Sequence, residues 1–202
     1  MLELLDYRRR VFDLYRTIRA QGTDNPRSYR RFIGERDDLF LHHSQSPLDS
    51  EQKTHFKGLR YFEYDVAYRV IAQLTPIIKP NRYTIELDDD GKFTMEQLGN
   101  VTFALPTGSG TLGVFWIAAY GGGVFIPFRD VTNQSDTYGG GRYLFDTIKG
   151  ADLGNVGNAL ILDFNYAYHP SCYYNSSWVC PLAPPQNQLP IAVQAGEKRL
   201  DH

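Results

Sequence analysis

Apolar residues recur at helical spacing at the start of the chain and fall into alternation after residue 58. Leu4, Leu5, Val11, Phe12, Tyr15 and Ile18 predict an amphipathic helix over residues 2–19, with arginines filling much of the remainder. Gly22 and Pro26 end it. Residues 22–51 are polar and irregular. A second short helix is expected within 28–40, and the run from Pro47 to Gln52 reads as a turn into one more helical turn, capped by Asp49 or Ser50.

Beyond Gly58 the signals are those of strands. Expected strands cover 68–74, 82–87, 95–105, 111–120, 124–128, 142–148, 159–164 and 189–195. Asp88-Asp89-Asp90-Gly91 predicts a turn, residues 106–110 a loop, and Gly121-Gly122-Gly123 a further turn. Short strands separated by turn residues at about ten-residue intervals predict a mainly β fold, an antiparallel β-barrel or β-sandwich, with an N-terminal helical segment. The absence of strand–helix alternation excludes a doubly wound parallel sheet. The expected division is a helical and irregular arm at 1–57 packed on an all-β domain at 58–202.

Composition narrows the function classes. Hydrophobic residues make up 42% and charged residues 22%, enough apolar surface for a sizeable core and too much for disorder. The net charge of -2 argues against a general nucleic-acid binder. Positive charge is nevertheless concentrated early: residues 1–36 hold nine arginines against five acids. Such an arm suits RNA or anionic lipid, or it is a solvated helix face with local ion pairs, which is the simpler reading. No apolar run is long enough to span a bilayer, and the charged N-terminus lacks the apolar core of a signal peptide. No membrane partner and a cytoplasmic location are therefore expected. Two cysteines do not make a secreted disulfide scaffold.

Candidate chemistry concentrates between Phe128 and Lys198, where glycines, prolines, charges and tyrosines interleave as in loops that build a site. In Asp136-Thr137-Tyr138-Gly139-Gly140-Gly141-Arg142, the glycines let backbone amides approach an anion and Arg142 clamp it; alternatively this is a kinked turn with Arg142 paired to Asp130 or Asp136. The missing Lys-Ser/Thr ending excludes a P-loop. In Asp163-Phe164-Asn165 and Tyr168-His169-Pro170-Ser171-Cys172, a nucleophile reading uses Cys172 with His169 as base and Asp163 as orienter; the simpler reading is a hydrogen-bonded loop with a half-buried thiol. Cys172 and Cys180, with seven residues between them, suit a disulfide that a reducing compartment would keep open. Their spacing with His169 matches no zinc finger or ribbon, so no metal site is assigned and no cofactor is identified. Cys180-Pro181-Leu182-Ala183-Pro184-Pro185-Gln186-Asn187 is stiffened by its prolines and is expected to wrap the domain as a strap.

Together these segments resemble the bacterial and archaeal family catalogued as domain of unknown function 1684. The resemblance begins near Ser46-Pro47-Leu48 and Phe56-Lys57-Gly58-Leu59-Arg60-Tyr61-Phe62. It continues through Tyr120-Gly121-Gly122-Gly123 and the block from Phe128 to Lys198. Matching positions are Arg129, Asp130, Thr132, Tyr138, Gly140, Arg142, Asp163, Asn165, Tyr168, Cys172, Cys180, Asn187, Gly196 and Glu197. The family pattern carries Asn where this chain has His169, which argues against a histidine-dependent mechanism. The resemblance implies a shared loop constellation and no established activity.

The leading expectation is a β-domain that binds a small anionic or polar molecule in a loop-lined pocket, with Arg129, Asp130, Tyr138, Arg142, Asp163, Asn165, Tyr168 and Glu197 lining or supporting it. The alternatives are a hydrolase using a carboxylate or Cys172, and a structural or interaction protein in which the same polar residues pair with one another.

Overall fold

The computed structural model describes residues 2–87, 91–118 and 120–200. Residues 88–90 of the expected turn, and Ala119 of the expected fourth strand, lie outside these. The chain begins with α1 (Leu2–Gln21) and α2 (Pro26–His42), both longer than the pattern predicts. Pro26 starts a helix as well as separating it from the previous one. It stands in the first turn, where its missing N–H is not needed, and Asn25 caps the turn by accepting the Arg27 N–H at 2.8 Å. The short α3 (Ser50–His55) is closed by a reciprocal box between Asp49 and Gln52.

The remainder is mainly antiparallel sheet. Its strands are β1 (Arg60–Tyr61), β2 (Arg69–Pro76), β3 (Arg82–Leu87), β4 (Gly91–Leu105), β5 (Gly108–Ile117), β6 (Gly123–Phe128), β7 (Arg142–Asp146), β8 (Asn155–Val156), β9 (Ala159–Asp163) and β10 (Glu197–Lys198). Eight of them follow the path β7-β6-β5-β4-β2-β9-β8, with β3 also on β4; β1 and β10 pair separately. The path does not close: β7 meets the chain beyond β9 only at one bridge, Tyr143 to Tyr168, with N–H to O distances of 2.8 and 3.1 Å.

One irregularity organises the core. The β4–β5 register shifts between Gln97 and Gly99, a bulge that reverses which face the side chains of β4 take. Before it, Met95 packs with Leu14, Tyr15 and Ile18 of α1 and Tyr29 and Phe32 of α2. After it, Val101, Phe103 and Leu105 join Leu189, Val193 and Ala195 from the C-terminal segment. Strand β5 is buried on both faces, with Leu112 and Val114 in one cluster and Phe115 and Ile117 in the other. The helical arm thus covers one face of the sheet and the end of the chain covers the other.

The expected strand at 189–195 does not form. Pro190 cannot donate to a ladder, and side chains take the place of a partner strand: Asp130 accepts the Val193 N–H at 3.2 Å, and Arg142 donates to the carbonyls of Val193 and Ala195. Residues 181–196 instead form a strap, touching β6 through an isolated parallel bridge between Arg129 and Gln188. The strand starting at Arg142 also stops at Asp146, whose side chain caps the 3-10 turn Thr147–Lys149.

Candidate functional site

Most of the expected polar residues sit at the start or end of a strand or within a 3-10 turn, and most are turned inward. Asp130 follows β6 and caps the turn Val131–Gln134, accepting the Thr132 N–H at 2.7 Å while Asn133 accepts the Asp130 N–H at 2.6 Å. Arg142 opens β7. Its Nη2 donates to Asp130 Oδ2 at 2.7 Å and to the Val193 carbonyl at 2.9 Å, its Nη1 donates to the Ala195 carbonyl, and its guanidinium lies 5.0 Å from the Phe128 ring centroid. Both side chains of the pair are 0% exposed. The glycine run before Arg142 serves this placement. Gly141 has φ +96°, and a Cβ there would fall 2.4 Å from the Phe128 carbonyl oxygen. Arg129, next to Asp130, holds the strap through its backbone.

A second cluster joins the helical arm to the chain end. Glu197 on β10 is fully buried, and its Oε2 accepts from Arg36 Nη2 at 2.8 Å and from the His169 N–H at 3.1 Å. Arg36 also donates to the Tyr61 hydroxyl at 2.7 Å and stacks over Phe32, Phe40 and Tyr168. Burial raises the Glu197 carboxyl to about 7 despite the opposing Arg36 charge. Glu197 Oε1 and His169 Nδ1 lie 3.7 Å apart, both buried and without a hydrogen bond. His169 Nε2 accepts the Tyr138 N–H at 3.2 Å, which assigns its proton to Nδ1, facing Glu197. Burial, then the charges of Arg142, Arg36 and Arg199, hold His169 well below its ordinary pKa.

A third cluster ties β9 to the segment before β2. Asp163 Oδ1 accepts from the Asn165 N–H at 3.1 Å and Asn165 Nδ2 at 2.8 Å, and the Asn165 amide brackets the Asp65 backbone at 3.1 and 2.8 Å. Burial raises Asp163 to about 6; its bonds from Asn165, then Arg69 and Thr23, act the other way. Asn187 plays the same part for the strap, bonding Gly113 N–H at 2.7 Å, the Gly113 carbonyl at 3.0 Å and the Pro127 carbonyl at 2.7 Å.

The eight expected site residues therefore fall into separate groups: Asp130 with Arg142 and, through the backbone, Arg129; Glu197 with Tyr168, across Arg36; Asp163 with Asn165; and Tyr138, whose backbone alone links the first two, accepting from Asn133 Nδ2 at 2.8 Å and donating to His169 Nε2 at 3.2 Å. Asp130, Arg142, Asp163, Asn165 and Glu197 are at most 1% exposed. Two surface hollows, of about 350 and 240 Å3, are lined by other residues. The sequence reading missed Arg36 as a site residue. The signal was its spacing: Phe32, Arg36 and Phe40 lie four apart on the buried face of α2, where an arginine demands a partner.

Tyr138 is half-buried beside the two cysteines. The 3-10 turn Ser171–Tyr173 presents the Cys172 N–H to Cys180 Sγ at 3.4 Å, and the two thiols are unbonded and half-buried. The two titrate together. The Cys172 thiol donates to Cys180, which, with the backbone N–H groups of Cys172 and Ser171 and the nearby Lys149 charge, lowers Cys180 to about 6 against the pull of burial. Cys172 is pushed upward, first by that same bond and then by burial; the Tyr138 hydroxyl bonds Cys172. Lys149 lies 5.6 Å above the Tyr143 ring, whose hydroxyl donates to the Pro181 carbonyl at 2.7 Å. His169 and Asp163, engaged by Tyr138, Glu197 and Asn165, make no hydrogen bond to either sulfur. Among the described residues, no three His, Cys, Asp or Glu side chains are grouped to hold a metal ion, and no helix is long and apolar enough to cross a membrane.

No curated protein matches the chain. A solved structure, the solution NMR structure of an uncharacterized protein of Haloarcula marismortui, is similar at 37% identity and a TM-score of 0.61, covering 84% of this chain and 92% of that one. The model of a family described as "Protein of unknown function (DUF1684)" matches residues 54–198. That span runs from the end of α3 through β10 and takes in all three buried clusters except Arg36, together with both thiols, and it shows that the chain belongs to the DUF1684 family.

Proposed function

We propose that this protein is a thiol–disulfide redox protein, with Cys180 as the attacking sulfur and Cys172 as the resolving one. The observation that carries the reading is the seat of Cys180 Sγ on the Cys172 N–H at 3.4 Å, which supports a thiolate and brings Cys180 against the backbone of Cys172. The chemistry balances without any added oxidant beyond a disulfide substrate. The Cys180 thiolate attacks one sulfur of R–S–S–R, forming a Cys180–S–S–R bond and releasing RS⁻. Cys172 then attacks the Cys180 sulfur, its proton passing to solvent, and a second RS⁻ leaves as the Cys172–Cys180 bond forms. Two cysteines are oxidised and one disulfide is reduced; an external thiol runs the steps backwards. A hydrolase based on Cys172 is less well supported, because that thiol is the more weakly acidic of the two and His169 is engaged elsewhere.

On this reading the buried polar residues are fasteners for the thiol loop, and the curl of the sheet toward the Tyr143–Tyr168 bridge is that of an incompletely closed barrel. Alkylation of Cys180 by iodoacetamide should follow an apparent pKa near 6, far below the free-thiol value of about 8.5. Oxidised glutathione should drive formation of an internal disulfide that mass spectrometry detects as loss of two hydrogens. An alkylation rate that still climbs through pH 8, or a failure to form that disulfide, removes the reading.

A second reading, binding of a small molecule, is favoured by the hollow of about 350 Å3 between α2 and residues 59–64. Tyr29, Ile33, Tyr61 and Tyr64 supply apolar walls there and Arg30 a cation, and the floor reaches Glu197 through Tyr61 and Arg36.

A further inference from the structure

The smaller hollow, of about 240 Å3, lies between α1 and the turn after β7. Arg8, Arg9, Phe12 and Asp13 line it from α1, and Thr147, Ile148, Lys149 and Gly150 from the turn. The two walls approach closely because residue 150 is glycine: a Cβ there would fall 2.9 Å from the Phe12 ring. The lining is basic. Asp13 is engaged by Arg16 at 2.9 Å, Lys149 reaches Asp146 at 3.5 Å, and Arg8 and Arg9 make no ion pair among the described residues. Phe12 and Ile148 are 50% and 40% exposed, so the hollow offers an apolar body contact beside its cations. Its third cation, Lys149, is shared with the thiol site, standing over Tyr143, whose hydroxyl abuts the Cys180–Pro181 segment.

We propose that this hollow receives the anionic part of the disulfide substrate, so that the protein prefers low-molecular-weight disulfides carrying carboxylate or phosphate groups. The inference rests on the thiol reading above and adds substrate class to it. Arg8 and Arg9, with Lys149 shared with Asp146 and Asp13 engaged by Arg16, attract an anion that neutral or cationic disulfides lack, and an aromatic or aliphatic portion can rest against Phe12 and Ile148.

The test uses two chromogenic disulfides on the full chain at pH 7: 5,5′-dithiobis(2-nitrobenzoate), a dianion, and 2,2′-dithiodipyridine, which is neutral. Each rate is divided by the rate of the same probe with free glutathione. The expected result is a normalised advantage of about five-fold or more for the dianion at low salt, the scale of one well-placed ion pair in water. It should shrink toward unity in 1 M salt, where screening reaches within about 3 Å. The double variant Arg8→Glu with Arg9→Glu should lose this advantage and keep the wild-type rate with the neutral probe. Circular dichroism of that variant checks that α1 still forms. If the dianion has no normalised advantage, or keeps it in the double variant, the substrate preference is overturned while the thiol reading stands. If neither probe outpaces glutathione, the thiol reading fails and the preference falls with it.

Discussion

The sealed clusters around Arg142 and Glu197 and the more open loop around Cys180 set charge and hydrogen bonding in opposite relations to solvent. At Arg142 a cation binds a carboxylate and two backbone carbonyls through its terminal nitrogens, with no side-chain exposure. At Cys180 a sulfur is supported by N–H groups and a lysine yet stays half-exposed, flanked by Trp178, Val179 and Leu182, which are 38–41% exposed. A buried ion pair is costly to form and far costlier to break, so the first arrangement fixes geometry. A thiolate at the surface gains reactivity from similar electrostatics because a reactant can reach it. On the thiol reading, access to solvent is what separates fastener from reagent.

Substitutions should therefore divide sharply. The largest effect is expected for Asp130→Ala, which leaves Arg142 charged and unpaired in the core. Chemical denaturation should show a loss of about 3–5 kcal/mol, and unchanged stability would mean that this pair does not hold the strap. Asn187→Ala removes three buried hydrogen bonds and should cost about 2–3 kcal/mol, seen as a lower urea midpoint with the slope preserved.

The next prediction concerns pH. Glu197 in the native state is raised to about 7, so between about 4.5 and 7 the folded protein holds a proton the unfolded chain has released, and its stability falls as pH rises. His169 has the opposite sign: it is neutral when folded and protonated when unfolded below its ordinary value, so it makes stability rise with pH up to about 6.5. The two partly cancel. His169→Asn removes the second contribution, so the variant should gain stability relative to wild type as pH is lowered from 6.5 to 5. Denaturation curves across that range check the sign, and a relative loss on acidification would refute it. The smallest stability change, under about 1 kcal/mol, is expected for Cys180→Ser at a half-exposed site, even as it abolishes the fast phase of thiol labelling. A large stability loss there would erase the contrast between the two regions.

Much of the fold was legible in alternation and spacing. The amphipathic face of α1, the Asp49 cap and most strands follow from residue pattern and turn chemistry. Residues 189–195 read as a strand because Leu189, Ile191, Val193 and Ala195 alternate, and they do point into the core; only the partner is different, since Arg142 and Asp130 bond their backbone where a ladder was expected. Pattern reports which face is buried and is silent on what satisfies the backbone. The candidate residues were legible as a set. Their depth was not, because Arg142 and Asp130 look in sequence like surface-loop charges until pairing makes burial affordable. Arg36 shows the same limit from the other side, since its partner Glu197 lies 161 positions away.

That separation has a consequence for synthesis. Helix α2 emerges from the ribosome well before β10, carrying a guanidinium aimed at a carboxylate 161 positions further along the chain. Long-range closures of this kind are slow, and this one cannot begin until Glu197 has itself been synthesised. Until Glu197 arrives, the buried guanidinium has no carboxylate and the aromatic stripe beside Arg36 lacks part of its cover in the growing chain.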